Sequence, residues 1–130
     1  MGQLRVLVID DEEELVSTLI ERLMLRDITA DGAITGIDAL KRIQEKQFDV
    51  VVLDVKMPGM DGLELLRKIK RIRPDVHVIL LTGRGSAKES QIGIAEGAFD
   101  YLIKPIDIED LIGKMRQAVA GSPRAAEGET

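Results

Sequence analysis

The chain has 130 residues, 45% hydrophobic and only 2% aromatic, with no cysteine and a net charge of −5. This describes one domain with an aliphatic core, able to bury about two-thirds of the surface its unfolded form exposes. It excludes a disulfide framework, a thiolate metal site and a basic nucleic-acid footprint, and the short apolar run in MGQLRVLVIDD excludes a membrane span there, so a cytoplasmic location is expected.

The first apolar run, RVLVI (5–9), closes on Asp10-Asp11 and predicts a strand. Leu15, Leu19 and Leu23 follow at helical spacing, with Asp11 and Glu14 placed as a capping box. ITADGA (28–33) is the weakest strand candidate, and Thr35 is placed to cap a second helix. VVVLD (50–54) is a continuous β-former run ending on Asp54; a Pro-Gly turn follows, and Asp61 with Glu64 opens a third helix. VHVILL (76–81) runs into Thr82-Gly83, and Ser86 with Glu89 starts a fourth helix, interrupted by Gly93 and ended or loosened by Gly97. FDYLI (99–103) leads to Lys104-Pro105, then Asp107 caps a last helix carrying Ile108, Leu111, Ile112, Met115 and Val119. The near-continuous Val/Ile/Leu strands are those of a parallel sheet covered on both faces. Five alternations of strand and helix give an open α/β sheet with right-handed crossovers. Residues 1–120 form this domain, and GSPRAAEGET (121–130) is a polar tail or the start of a linker.

In such sheets the ligand site lies beyond the carboxyl ends of the strands. Those ends carry Asp10, Asp11, Asp54, Thr82 and Lys104. Singly, most have a plainer reading: Asp11 as a helix cap with Glu12, Glu13 and Glu14 favoured by the helix dipole, Thr82 as a turn cap, Lys104 as a surface lysine. Asp54 resists that reading, because a carboxylate ending a strand buried on both faces is costly unless something meets it. Clustered carboxylates call for cations. Lys104 supplies one charge, and a hard divalent ion such as Mg²⁺, which takes oxygen ligands, supplies the rest. Zinc is excluded on ligand count, since the single histidine is His77. A cation, a lysine, a hydroxyl and a carboxylate are the equipment for phosphoryl transfer with Asp54 as nucleophile.

The segments VLVIDDEEE, VVLDVKMPGMDG, VILLTG and YLIKPID, in this order and spacing, resemble the receiver domain of two-component response regulators over about residues 4–120. The resemblance implies a flavodoxin-like, doubly wound sheet of five strands in order 2-1-3-4-5 flanked by five helices. It implies that Asp54 accepts a phosphoryl group from a partner histidine kinase or phosphotransfer protein. Asp10, Asp11, Asp54 and the backbone carbonyl of Lys56 would then hold Mg²⁺. Lys104 would pair with the phosphoryl oxygens, and the Lys104-Pro105 bond is expected to be cis. Thr82 and Tyr101 match the switch pair that remodels the surface of the fourth helix, fifth strand and fifth helix for an effector or a phosphorylation-dependent homodimer. Catalysis would be limited to self-phosphorylation and slow autodephosphorylation. Lys56 and Arg84, two residues past the acceptor and the threonine, would flank the path of the hydrolytic water and set the phosphoryl lifetime.

Two other function classes share parts of this pattern. A haloacid-dehalogenase-type phosphatase also uses a strand-end aspartate, Mg²⁺, a hydroxyl and a lysine, but needs a second acid two residues on, where this chain has Lys56. A flavodoxin-like FMN binder needs a hydroxyl- and glycine-rich loop after the first strand, where Asp10 to Glu14 would repel its phosphate. A receiver-like binding module that is never phosphorylated would have little use for the full set of site residues.

Overall fold

In the computed structural model, residues 4–57, 59–83 and 87–121 are described. The chain runs β1 (Arg5–Ile9), α1 (Glu13–Met24), β2 (Thr29–Ala33), α2 (Gly36–Glu45), β3 (Val50–Asp54), β4 (Lys56–Met57), β5 (Met60–Asp61), α3 (Gly62–Ile72), β6 (His77–Thr82), α4 (Ala87–Ala95), β7 (Asp100–Ile103) and α5 (Ile108–Ala120). Five strands pair in parallel in the order β2-β1-β3-β6-β7, which is 2-1-3-4-5 when the long strands alone are counted. The expected fold class is the one observed. The two-residue strands β4 and β5 form a separate antiparallel hairpin that the sequence pattern does not announce.

Alternation along the strands divides the core in two, because successive side chains of a strand point to opposite faces. Leu7, Ile9, Val51, Leu53 and Leu80 pack with Ile43 of α2 and Leu65, Leu66 and Ile69 of α3. Val6, Val8, Val52, Ile79 and Leu81 pack with Val16, Leu19 and Leu23 of α1 and with Leu111, Ile112 and Met115 of α5 on the other face. Every residue of β3 is buried, as its unbroken VVVL run requires.

Helix starts follow the sequence at three of the expected positions. Thr35 accepts a hydrogen bond from Asp38 N, Asp61 from Leu63 N, and Asp107 from both Glu109 N and Asp110 N. The first helix departs from expectation. Its N-cap residue is Glu12 rather than Asp11, and no side chain caps it. Ser86, the expected start of α4, and Arg84 lie outside the described residues, as do 122–130.

Candidate functional site

Sheet order places the site. The chain leaves β1 for β2 on one side and returns to β3 on the other, so the crevice at the reversal opens beyond the carboxyl ends of β1 and β3. Asp10 follows β1 and Asp54 ends β3. Asp10 N donates to Ala33 O at the end of β2, 3.1 Å away, and Val55 N donates to Leu81 O at 3.0 Å. The two aspartates are therefore carried by hydrogen-bonded backbone, not by free loops.

Asp10 is fully buried and Asp54 is 5% exposed, while Asp11 faces solvent. Carboxylate oxygens of Asp10, Asp11 and Asp54 lie within 4.8 Å of one another, a cluster that could hold a metal ion. The donors are all oxygen, the set a hard cation takes. One of them, Asp10 Oδ2, is buried and makes no well-aligned hydrogen bond among the described residues, its counter-charge being the Lys104 ammonium. An oxygen held by charge alone fits a cation ligand. The single histidine, His77, opens β6 at the opposite end of the strand from this rim.

Lys104 follows β7 and reaches across the crevice. Its ammonium stands 2.9 Å from Asp10 Oδ2, 3.2 Å from Glu12 Oε1 and 3.7 Å from Asp54 Oδ2. Its backbone N–H donates to Thr82 O at 2.8 Å, and its peptide bond to Pro105 is cis. Burial pulls the Lys104 pKa down, but the contact and charge of Asp10, with Asp54 and Glu12 behind it, outweigh burial and leave it raised. Asp54 is pushed up to about 6, first by burial and then by the charge of Asp10, with Lys104 and the Lys56 N–H pulling the other way. That N–H donates to Asp54 Oδ1 at 3.3 Å. The hairpin holds it there, pairing Lys56 with Asp61 while Gly62 N donates to Val55 O at 3.0 Å.

Thr82 is buried on the neighbouring strand end, its hydroxyl donating a long 3.5 Å hydrogen bond to Leu102 O. Tyr101 is half-buried on the edge strand β7 and packs against the α2–α3 side of the core. Lys56 is exposed beside the site. The fold thus gathers Asp10, Asp11, Asp54 and Lys104, sets Lys56 and Thr82 at their side, and keeps Tyr101 one strand over. Glu12 is the participant that sequence reasoning assigned elsewhere, to the helix dipole. Its partner Lys104 lies 92 residues away, and the one sequence signal was five acids in a row with no cation near them.

The family model described as the response regulator receiver domain matches residues 6–116. A response regulator named MprA from Mycobacterium ulcerans is 38% identical over 112 residues, covering 86% of this chain and 48% of that protein. The chain spans about half the length of the curated relatives it matches. A response regulator receiver domain structure from Clostridium thermocellum superposes with a TM-score of 0.85 at 35% identity, covering 89% of this chain and 94% of that one. A DrrB receiver domain described as BeF3-activated gives 0.80 at 33% identity, over 90% and 97% of the two chains. A Burkholderia pseudomallei response regulator, described with a phosphorylated aspartic acid and a calcium ion, gives 0.82 at 27% identity, over 98% and 71%.

Proposed function

The chain belongs to the response regulator receiver domain family, and from that premise we propose that Asp54 is the phosphoacceptor of a phosphorelay, charged by a histidine kinase or phosphotransfer protein. The observation that carries this reading is Asp54 itself, a buried strand-end carboxylate facing two further aspartates and one lysine. Asp10, Asp11, Asp54 and the carbonyl of Lys56 are the residues that would hold Mg²⁺. Bound there, the ion would offset charge between the carboxylates and the phosphoryl donor.

The chain's own residues do the rest. Asp54 Oδ attacks the phosphorus, the donor's bond to phosphorus breaks, and the donor leaves with that electron pair. Lys104 trades its carboxylate contacts for the phosphoryl oxygens. The product carries roughly two negative charges where one carboxylate stood. Thr82 gives up its long bond to Leu102 O and turns its hydroxyl to the new acceptors. Tyr101 moves into the space behind it. This local charge event biases a two-state element, the surface of α4, β7 and α5. Its fitness for docking an effector or a second copy is supported by the open edge of β7 and by the exposed Ile92, Phe99 and Ile103.

The functional unit is residues 1–120, with 121–130 a tail or the start of a linker. An effector domain beyond it is the expected output, since the relatives are about twice as long as the matched region. The setting is cytoplasmic. Among the described residues no helix is long and apolar enough to cross a membrane.

Incubation with acetyl phosphate and Mg²⁺, followed by intact-mass measurement, tests the function. A gain of one phosphoryl group is expected. Rapid release of free phosphate without an adduct would indicate a phosphatase, and no reaction would indicate a binding module.

A further inference from the structure

Lys104 divides its contacts unevenly. Its ammonium pairs with all three acids but sits nearer Asp10 and Glu12, at 2.9 and 3.2 Å, than Asp54, at 3.7 Å. An ammonium has three donors, and two of the nearest acceptors lie on the β1–α1 side of the crevice. Glu12 is also in an unusual position. It is the N-cap residue of α1, a place for Ser, Thr, Asp or Asn, yet its side chain caps nothing and reaches Lys104 instead. Its main chain is fixed by donating to Asp10 Oδ1 at 2.9 Å, so only the side chain is free to choose.

We propose that Glu12 is a positioning residue that retracts Lys104 from Asp54 in the resting protein and competes with the phosphoryl group for it. The proposal rests on the phosphoacceptor reading above. The two acids that hold Lys104 differ in kind. Asp10 is fully buried and cannot lose its counter-charge cheaply, whereas the Glu12 side chain is 63% exposed and water replaces its partner at little cost. Glu12 is therefore the contact released first when phosphoryl oxygens arrive. A rival expectation is that Glu12 steadies Lys104 for the reaction, so that its loss would slow uptake. Asp10 argues against this, because it still holds the ammonium at the site when Glu12 is gone.

Glu12→Gln removes the charge, and Glu12→Asp keeps it while shortening the side chain and giving α1 a residue suited to capping. Both variants are expected to take up phosphoryl from acetyl phosphate about two- to five-fold faster than wild type, the scale of a partly exposed ion pair. Glu13→Gln, which removes a neighbouring charge with no contact to Lys104, is expected to match wild type. In a Lys104→Met background Glu12→Gln is expected to change nothing. In metal-free protein the ¹⁵Nζ resonance of Lys104 is expected to shift in both Glu12 variants and to stay in Glu13→Gln.

Slower or unchanged uptake in Glu12→Gln overturns the proposal. So does wild-type behaviour of Glu12→Asp, which would leave only a field effect, and so does acceleration that persists without Lys104. If wild type takes up no phosphoryl group at all, the phosphoacceptor reading fails. The Lys104 resonance then still decides the pairing: a shift supports it, and an unmoved signal overturns it.

Discussion

Asp54 concentrates the cost of this site in one residue. Its ordinary pKa of 3.8 applies in the unfolded chain, while burial and the charge of Asp10 push it up to about 6 in the folded one. A group whose pKa is raised by folding stabilises the fold fully below 3.8, and that contribution is lost as pH rises through 6. At pH 7.5 the ionised carboxylate is thus a burden on metal-free protein. Asp54→Asn removes it, and urea denaturation in chelator should show a gain of about 1–2 kcal/mol at pH 7.5 that fades toward pH 4. The gain should shrink when Mg²⁺ saturates wild type. Destabilisation at pH 7.5 would mean that Lys104 already compensates the charge in full. Lys56 is the second residue with a consequence of its own. Exposed beside the site, it would stand on the approach of the hydrolytic water and, being cationic, take no proton from it. Lys56→Asn should shorten the phosphoryl lifetime, read as phosphate release from purified phosphorylated protein, and Arg84→Ala should shorten it further. An unchanged or longer lifetime would refute obstruction.

Among the elements, α4 carries two glycines that read either as weak points in a switching helix or as residues that allow close packing and end the helix. The structure fits the second reading. In the structure a Cβ at Gly93 would overlap Leu80 Cδ1 and press on Leu63, so the glycine lets α4 lie close against β6 and α3. Gly97 takes φ +116 just past the helix end, a conformation that favours glycine, with the Lys70 stem beneath it. Arg67 of α3 pairs with Glu96 at the same end. Gly93→Ala would gain helix propensity but overpack a buried leucine, and the second effect is larger. A loss of about 1–3 kcal/mol in chemical denaturation is expected, where an exposed helical glycine would give a gain. The long elements were legible because their signals are local: apolar runs for the strands, fourfold spacing for α1, and caps at Thr35, Asp61 and Asp107. What escaped depends on distant partners or on very short pieces. The β4–β5 hairpin has two residues a side and no periodicity to read. The close fit of Gly93 needs Leu80 in place, and the contact of Glu12 with Lys104 joins residues 92 apart. The site's members were legible one by one, as strand-end residues, but their distances depend on the sheet order.

On the scale of the whole molecule, a chain of net charge −5 places three carboxylates within 4.8 Å of one another and supplies one lysine against them. The fold carries this imbalance on the rigid ends of parallel strands buried on both faces, so relaxation is resisted and a cation is the remaining remedy. Mg²⁺ should raise the thermal midpoint by binding the folded state alone, by a few degrees at saturating concentration. Differential scanning calorimetry with Asp10→Ala checks the location, since that variant should lose most of the shift. An undiminished shift would place the ion elsewhere. Function turns on whether Asp54 receives the phosphoryl group. It is tested most directly by treating wild type and Asp54→Asn with acetyl phosphate and Mg²⁺ side by side and mapping the modification by peptide mass. One phosphoryl group is expected on the wild-type peptide that contains Asp54 and none on Asp54→Asn. Equal uptake by the variant, or a phosphoryl group on any other peptide, would contradict it.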